Sequence, residues 1–170
     1  MQSQDPHLLF TTLLHGYHVS HLVERAQTAK PTLLLLQVEH TGNLIGLYRE
    51  DRWSMFYGAH GIPDTLLFSI EFAWVRCERM TVIRKWVGVQ SDQFVDGVEK
   101  PTHYVYVRSP GRFLMIGAGG RRGISFYCSE DFSKASSQQS DVYQNPPLCD
   151  REFFSIANAE LYDFYSAGTK

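Results

Sequence analysis

Short apolar stretches separated by turn residues run along most of this chain. Residues 113–116 are all apolar, and after a glycine-rich connection Ile124, Phe126 and Cys128 stand at every second position. Such alternation is typical of β-strands with one face in a core. We therefore predict two core strands joined by a tight turn, and the rest of the chain is expected to be arranged around this hairpin.

Seven further stretches of the same kind predict additional strands, at residues 7–14, 32–38, 44–48, 65–72, 82–87, 103–107 and 159–165. Turn residues at 41–43 and 109–111 separate several of them. Residues 32–38 form a short apolar run, as expected of a strand that is buried on both faces or lies in a sandwich core. The polar stretch at residues 130–140 is predicted to form a surface loop.

One segment has helical periodicity, with apolar residues at positions 19, 22, 23 and 26. Ser20 is the expected N-cap and Pro31 follows the expected end, so the predicted helix covers residues 20–29. Many short strands and one clear helix predict a mainly β (α+β) fold, a two-sheet antiparallel β-sandwich with a few short helices. Since no linker composition divides the chain, residues 1–170 are expected to form a single domain.

The composition is that of one packed domain. A chain of 170 residues can bury roughly 70% of its unfolded surface, and 11 Phe, 9 Tyr and 3 Trp favour a β-rich core. The formal charge of −2 gives no reason to expect nucleic acid as a partner. Three distant cysteines, Cys77, Cys128 and Cys149, without a secretory signal or a long apolar run, predict a soluble protein of the cytoplasm.

The glycine-rich connection first suggests a phosphate-binding loop, because glycines let backbone N–H groups approach an anion. Its glycines are Gly117, Gly119, Gly120 and Gly123. A dinucleotide-binding fingerprint needs glycine at position 122, which is arginine, and a P-loop needs a lysine that is missing here. We therefore favour a structural role for these glycines, in close packing between two strands.

Catalytic and metal-binding signatures are weak. The histidines His15, His18 and His21 are three residues apart, but no cysteine or paired carboxylate lies near them in sequence, so no metal site and no cofactor are predicted. No serine has a Gly-x-Ser-x-Gly context, and no catalytic residue is assigned. Cys128 is expected to be a buried structural thiol, whereas Cys149 is the candidate for redox chemistry.

Four arginines flank the predicted hairpin: Arg108, Arg112, Arg121 and Arg122. If they cluster at neighbouring strand ends, they can hold a phosphorylated ligand, a lipid head group or an acidic protein surface. The alternative, which we favour from the residues alone, is a solvated basic edge that discourages edge-to-edge pairing.

Eight segments, in order, resemble the TLDc domain and span nearly the whole chain. They are residues 8–17, 31–36, Gly42 with Gly46, 57–58, 66–69, 85–88, 117–123 and 145–148. The resemblance implies a two-sheet β-sandwich, a role in oxidative-stress resistance, and binding to the proton-pumping vacuolar ATPase, whose assembly some members regulate. It also implies an interaction module rather than an enzyme. In some members the domain follows a Rab GTPase-activating domain.

One departure from the family pattern concerns residues 58–64. Members usually carry Gly-x-Gly-Glu before the strand that begins at residue 65, and here the loop is longer and ends in Asp64. The expected partner-binding surface comprises His60, Asp64, Gly117, Gly119, Gly120, Arg121, Arg122 and Gly123. Glycine-rich turns at a sandwich end present backbone to a partner, which is the physical reason for this choice.

Two other functions stay open at this point. The first is a vesicle-membrane adaptor that binds phosphoinositides through the arginine patch. The second is a thiol-based antioxidant enzyme that uses Cys149 or Cys128. The interaction module is preferred because it alone accounts for the lack of a convergent catalytic constellation in the sequence.

Overall fold

The computed structural model describes residues 5–53, 65–76, 78–88, 94–95, 98–99, 103–108, 113–119 and 122–164. The strands in these ranges are β1 His7–Thr11, β2 Thr32–Val38, β3 Leu44–Arg49, β4 Leu66–Val75, β5 Glu78–Val87, β6 Phe94–Val95, β7 Val98–Glu99, β8 His103–Arg108, β9 Phe113–Ala118, β10 Phe126–Ser129, β11 Ala135–Ser136, β12 Phe153–Phe154 and β13 Ile156–Asp163. The helices there are α1 Thr12–His15 and α2 Val19–Ala26, and neither is long and apolar enough to cross a membrane.

The strands form two larger antiparallel sheets. One has six strands in the order β1-β13-β2-β3-β4-β5, and the other has five in the order β12-β11-β10-β9-β8. A single apolar core contains residues of both sheets, among them Leu34 and Leu47 of the first and Leu114 and Phe126 of the second. The predicted two-sheet antiparallel sandwich with a few short helices is therefore confirmed.

The leucine-rich strand β2 shows how the sequence builds this core. Alternate residues Leu34, Leu36 and Val38 are buried, whereas Leu33 and Leu35 on the other face are only partly covered. Burying one such side chain stabilises the fold by about 1.5–3 kcal/mol relative to leaving it exposed. The strand pairs with β3 as an antiparallel hairpin, with Leu34 opposite Leu47.

The central hairpin is also confirmed, since β9 and β10 pair with Leu114 opposite Cys128 and Ile116 opposite Phe126. The connection is longer than the predicted tight turn, because β9 ends at Ala118 and β10 begins at Phe126. Gly117 has a φ of 67°, and a Cβ there would lie 2.7 Å from Cδ2 of Tyr143. Only glycine fits this left-handed position with the Tyr143 ring packed against it.

The helix α2 has the predicted buried face but a different start. It begins at Val19 with His18 as N-cap, so the prediction that Ser20 caps the helix is wrong. The His18 side chain makes no capping hydrogen bond, and the Val19 N–H instead donates to the backbone carbonyl of Glu130 at 2.8 Å. A tertiary contact thus replaces the local cap. The helix also ends earlier than predicted, at Ala26.

The first predicted strand, residues 7–14, divides into strand β1 and helix α1. The strand stops at Thr11, whose Oγ1 accepts a hydrogen bond from the backbone N–H of Leu13 at 3.4 Å. The hydroxyl of Thr12 donates to Asn158 Oδ1 at 2.5 Å. These threonines turn the chain into a helical turn, and Leu13 is left exposed.

The prediction of a surface loop at residues 130–140 is wrong. The stretch contains β11, which pairs with both β10 and β12, and Phe132, Ala135, Ser137 and Ser140 are buried. Serines can be buried here because their hydroxyls donate to backbone carbonyls inside the fold. The polar composition of residues 130–140 therefore does not indicate the internal strand β11 that they contain.

Candidate functional site

The loop after β9 and the segment 137–148 pack together at one end of the sandwich. We call this region, residues 117–119, 122–125 and 137–148, the glycine end. The carbonyl of Gly117 accepts hydrogen bonds from Ser140 Oγ at 2.7 Å and from the Ser125 N–H at 3.4 Å. A Cβ on Gly123 would lie 2.9 Å from Cβ of Gln138, so the two segments are in close contact there as well.

Asn145 is the centre of the hydrogen bonds inside the glycine end, and its side chain is fully buried. Its Oδ1 accepts from Ser125 Oγ at 2.7 Å, and its Nδ2 donates to the carbonyls of Gln138 at 3.3 Å and Pro146 at 2.7 Å. Ser137 Oγ donates to the Ser125 carbonyl at 2.7 Å and accepts from the Leu148 N–H at 2.8 Å. Every polar atom of the Asn145 amide is thus used to fix these loops.

The start of β4 joins this region through two buried hydroxyls. Thr65 Oγ1 and Tyr143 Oη are 2.5 Å apart, and the Tyr143 ring packs against Gly117. Thr65, which directly precedes β4, therefore contacts the glycine end. The predicted site residues His60 and Asp64 precede Thr65 in sequence but lie outside the described residues.

Of the other predicted site residues, Gly120 and Arg121 also lie outside the described residues. Gly117 is buried and supports the loop from inside, Gly119 is half-buried, and Gly123 is exposed. The side chain of Arg122 is 64% exposed, with its Nε 4.0 Å from Asp141 Oδ1, and its backbone N–H donates to Asp141 Oδ2 at 3.0 Å. The glycine end thus presents Arg122 on a loop that is held by its backbone.

The two described arginines of the predicted patch belong to opposite ends of β9. Arg108 is paired with Phe113 at the start of β9, whereas Arg122 follows Ala118 at the other end of that strand. Five residue steps along a strand separate the two ends by about 16 Å. Arg112 and Arg121 lie outside the described residues, so the clustering of all four arginines stays a prediction.

The two described cysteines lie in different environments. Cys128 is buried as predicted, and burial raises its pKa to about 12. Cys149 is half-buried, and burial is also the main reason that its pKa is raised. Neither environment favours the thiolate that peroxide chemistry requires, so the redox role of Cys149 gains no support from its surroundings.

A side-chain cluster that the sequence did not predict surrounds Cys149. Its Sγ lies 3.2 Å from Asp150 Oδ1 and 3.9 Å from His40 Nε2, and the latter two atoms are 2.8 Å apart. The Asp150 carboxyl has a lowered pKa, chiefly because of its hydrogen bond with His40. His40 lies in the β2–β3 connection, more than a hundred residues away from Cys149 in sequence. Of the three residues, the sequence pointed to Cys149 alone.

The histidines His15, His18 and His21 do not converge. The Nδ1 atom of His15 accepts from the Thr11 N–H at 3.0 Å, and that of His21 lies 2.9 Å from the carbonyl of His15. His18 Nδ1 is 3.3 Å from Glu130 Oε1. The His18 and His21 rings are neighbours, with centroids 5.3 Å apart, but among the described residues the three histidines do not form a group of three close ligand atoms.

Arg49 is a buried cation that the sequence analysis also missed. It is 3% exposed, its Nη2 donates to the carbonyl of Arg52 at 3.2 Å, and its guanidinium lies over the Trp53 ring. Burial lowers the pKa of Arg49, while the charge of Asp51 opposes that shift. Among the described residues its Nε has no hydrogen-bond partner. Arg49 is the last residue of β3.

Comparison with known proteins gives two findings. A family model described as the TLDc domain matches residues 1–165. The GTPase-activating protein skywalker of Drosophila melanogaster is 25% identical to the chain over 169 residues. That alignment covers 94% of this chain but 26% of skywalker, so the chain spans about a quarter of that relative's length.

Proposed function

The chain belongs to the TLDc domain family, and from this premise we propose that it is an interaction module that acts by binding rather than by catalysis. Its proposed partner is the vacuolar proton-pumping ATPase, which it regulates, and through the pump it contributes to oxidative-stress resistance. We propose that it works in the cytoplasm and is recruited to vacuolar, lysosomal or vesicle membranes by this partner. The family resemblance suggests the partner, and the glycine end offers a surface for it.

The observation that carries this proposal is the internal fixing of an exposed loop. Arg122, Gln138, Gln139 and Gln144 are exposed, while Ser125 and Asn145 beneath them are buried and hydrogen-bonded. A loop that is already ordered loses little conformational entropy on association, so its contacts contribute more fully to affinity. A buried polar network whose members are all hydrogen-bonded makes the loops above it rigid, and a rigid support positions a binding surface.

The test is the binding of the purified chain to the soluble sector of the vacuolar ATPase by biolayer interferometry. We expect saturable binding that weakens at least tenfold when Arg121→Ala and Arg122→Ala are combined, because arginines are frequent interface anchors and Arg122 is exposed. Asp64→Ala, in the loop where this sequence departs from the family, is expected to weaken binding as well. A matched control removes two exposed arginines elsewhere, Arg52→Ala with Arg151→Ala, and is expected to bind like the unmodified chain.

The possible results separate the partner from the surface. Binding that is equally strong in the double variant of the glycine end and in its control refutes the surface but keeps the partner. The absence of binding at high micromolar concentration refutes the partner. Liposome flotation with and without phosphoinositide then tests the membrane-adaptor alternative.

The name of the relative raises GTPase activation as a further activity to measure. In some family members a separate Rab GTPase-activating domain precedes the TLDc domain, and the present chain aligns with only a quarter of skywalker. We therefore propose that this module does not itself accelerate GTP hydrolysis. Single-turnover hydrolysis by a panel of Rab GTPases is expected to be unchanged by the chain, and acceleration that Arg122→Ala abolishes would contradict this.

A further inference from the structure

His40, Cys149 and Asp150 bring three different metal-binding groups to one place on the surface. An imidazole nitrogen, a thiol sulfur and a carboxylate oxygen all lie within 4.8 Å of one another. We propose that these three residues form a binding site for a zinc-like divalent transition metal. Cys149 and Asp150 directly follow the last residue of the glycine end in sequence, and the metal proposal does not rest on the proposed partner.

The distances within the cluster are close to those that tetrahedral coordination requires. With Zn–N and Zn–O distances of about 2.0 Å and a Zn–S distance of about 2.3 Å, pairs of ligand atoms lie about 3.3–3.6 Å apart. The observed separations are 2.8 Å for nitrogen to oxygen, 3.2 Å for sulfur to oxygen and 3.9 Å for sulfur to nitrogen. Shifts of roughly 0.5 Å or less therefore convert the present hydrogen bonds into a coordination triangle.

The backbone holds the ligands in place on two sides. His40 lies in the β2–β3 turn, which is closed by hydrogen bonds from Gly42 N–H to the Val38 carbonyl at 2.8 Å and from Val38 N–H to the Asn43 carbonyl at 2.9 Å. Cys149 follows Leu148, which is buried and donates its N–H to Ser137. Ligands on rigid segments lose little freedom when an ion binds, and this favours binding.

The mixture of donor atoms selects the class of metal. Magnesium and calcium take oxygen ligands and would leave the thiol and imidazole unused. Sites for copper(I) are dominated by thiolate and thioether sulfur, whereas nitrogen, sulfur and oxygen together suit zinc. Cys149 gives up its proton on binding, since the thiolate is the ligand.

Among the described residues three protein groups converge here, which leaves a fourth position for water or a small ligand. Cys149 and Asp150 also line a cleft of about 420 Å³ whose walls include Glu71, Phe72 and Leu148. An ion at the cluster would therefore border this cleft. The Asp150 side chain is 64% exposed, which gives the ion access from solvent.

The experiment uses the whole chain after removal of metals with a chelator. Titration with Zn²⁺ by calorimetry is expected to give one site, and Co²⁺ is expected to produce the near-ultraviolet absorption of a thiolate–cobalt bond that Zn²⁺ then abolishes. Cys149→Ser and His40→Ala are each expected to weaken binding about 100-fold or more, because each removes one of only three ligands. Mg²⁺ is expected not to compete.

His18→Ala is the matched control, because His18 also pairs with a carboxylate, at 3.3 Å from Glu130, but belongs to no thiol-containing cluster among the described residues. It is expected to bind Zn²⁺ like the unmodified chain. Asp150→Asn, at an exposed position, gives a third ligand variant with little risk of unfolding, and circular dichroism checks that all variants fold. The proposal is overturned if Zn²⁺ does not saturate, if Co²⁺ binds without thiolate absorption, or if binding is lost in His18→Ala but kept in Cys149→Ser.

Discussion

Replacing Asn145 with alanine tests whether the glycine end is fixed from inside. The substitution removes three hydrogen bonds, with Ser125, Gln138 and Pro146. Each such bond contributes about 1 kcal/mol net, and leaving the Ser125 hydroxyl buried without its acceptor costs about 1–3 kcal/mol more. Because the loop can relax around the smaller side chain, the loss is expected to be smaller than the total of these terms, and we expect the free energy of unfolding to fall by about 3 kcal/mol.

Urea denaturation measures this loss, with the slope of the free energy against urea unchanged if the native state stays compact. A chain of this size loses about 2–4 °C of Tm per kcal/mol, so a decrease of about 6–12 °C is expected. Gln139→Ala is the control, since this exposed side chain should change stability by less than about 0.5 kcal/mol. A loss below about 0.5 kcal/mol for Asn145→Ala would show that the network does not hold these loops.

Three further predictions concern other parts of the fold. Gly46→Ala is expected to destabilise the fold by about 1–3 kcal/mol in urea denaturation, because the Phe68 ring occupies the space of the new Cβ. The double variant with Phe68→Leu should recover part of this loss, and the absence of any recovery would exclude the contact with Phe68 as the cause. Hydrogen bonds from Ser129 and Ser133 lower the pKa of Asp131 from 3.8 to about 2, so its ionised form stabilises the fold above pH 4 and this contribution is lost as the pH falls towards 2. In Asp131→Asn the free energy of unfolding should depend less on pH between 4 and 2, and an unchanged dependence would contradict this. Arg122→Ala removes an ion pair between a 64% exposed arginine and Asp141, so the free energy of unfolding from thermal denaturation should change by less than about 0.5 kcal/mol. A larger loss would make Arg122→Ala unsuitable as a binding variant.

Much of the sandwich could be predicted because its strands have a period of two with one face in the core. This holds for β2, where Leu34 and Leu36 are buried, and for β10, where Phe126 and Cys128 are buried. The prediction failed where buried positions are polar. Ser137 and Ser140 lie inside the fold because backbone carbonyls accept their hydroxyl protons, and that pairing is invisible in a hydrophobicity pattern.

The candidate sites were less predictable than the fold. The segment 145–148 is part of the family resemblance, but the role of Asn145 becomes clear only from its hydrogen bonds with Ser125, Gln138 and Pro146. The cluster of His40 with Cys149 combines residues that are distant in sequence and meet because a hairpin turn and a late loop lie side by side. Local spacing detects metal sites built on one element and misses those assembled by tertiary contacts.

The place of β13 in the larger sheet bears on how the chain is made. This strand comes last in sequence among the described strands, yet it lies between β1 and β2 and pairs with both. Until residues 156–163 have left the ribosome, the leucine-rich β2 has an unpaired backbone on one side and β1 has no neighbour in the sheet. Exposed strand edges of this kind invite aggregation, and pairing over such sequence distances is slow. The nascent chain is therefore expected to stay sensitive to protease and dependent on chaperones until β13 has paired with β1 and β2.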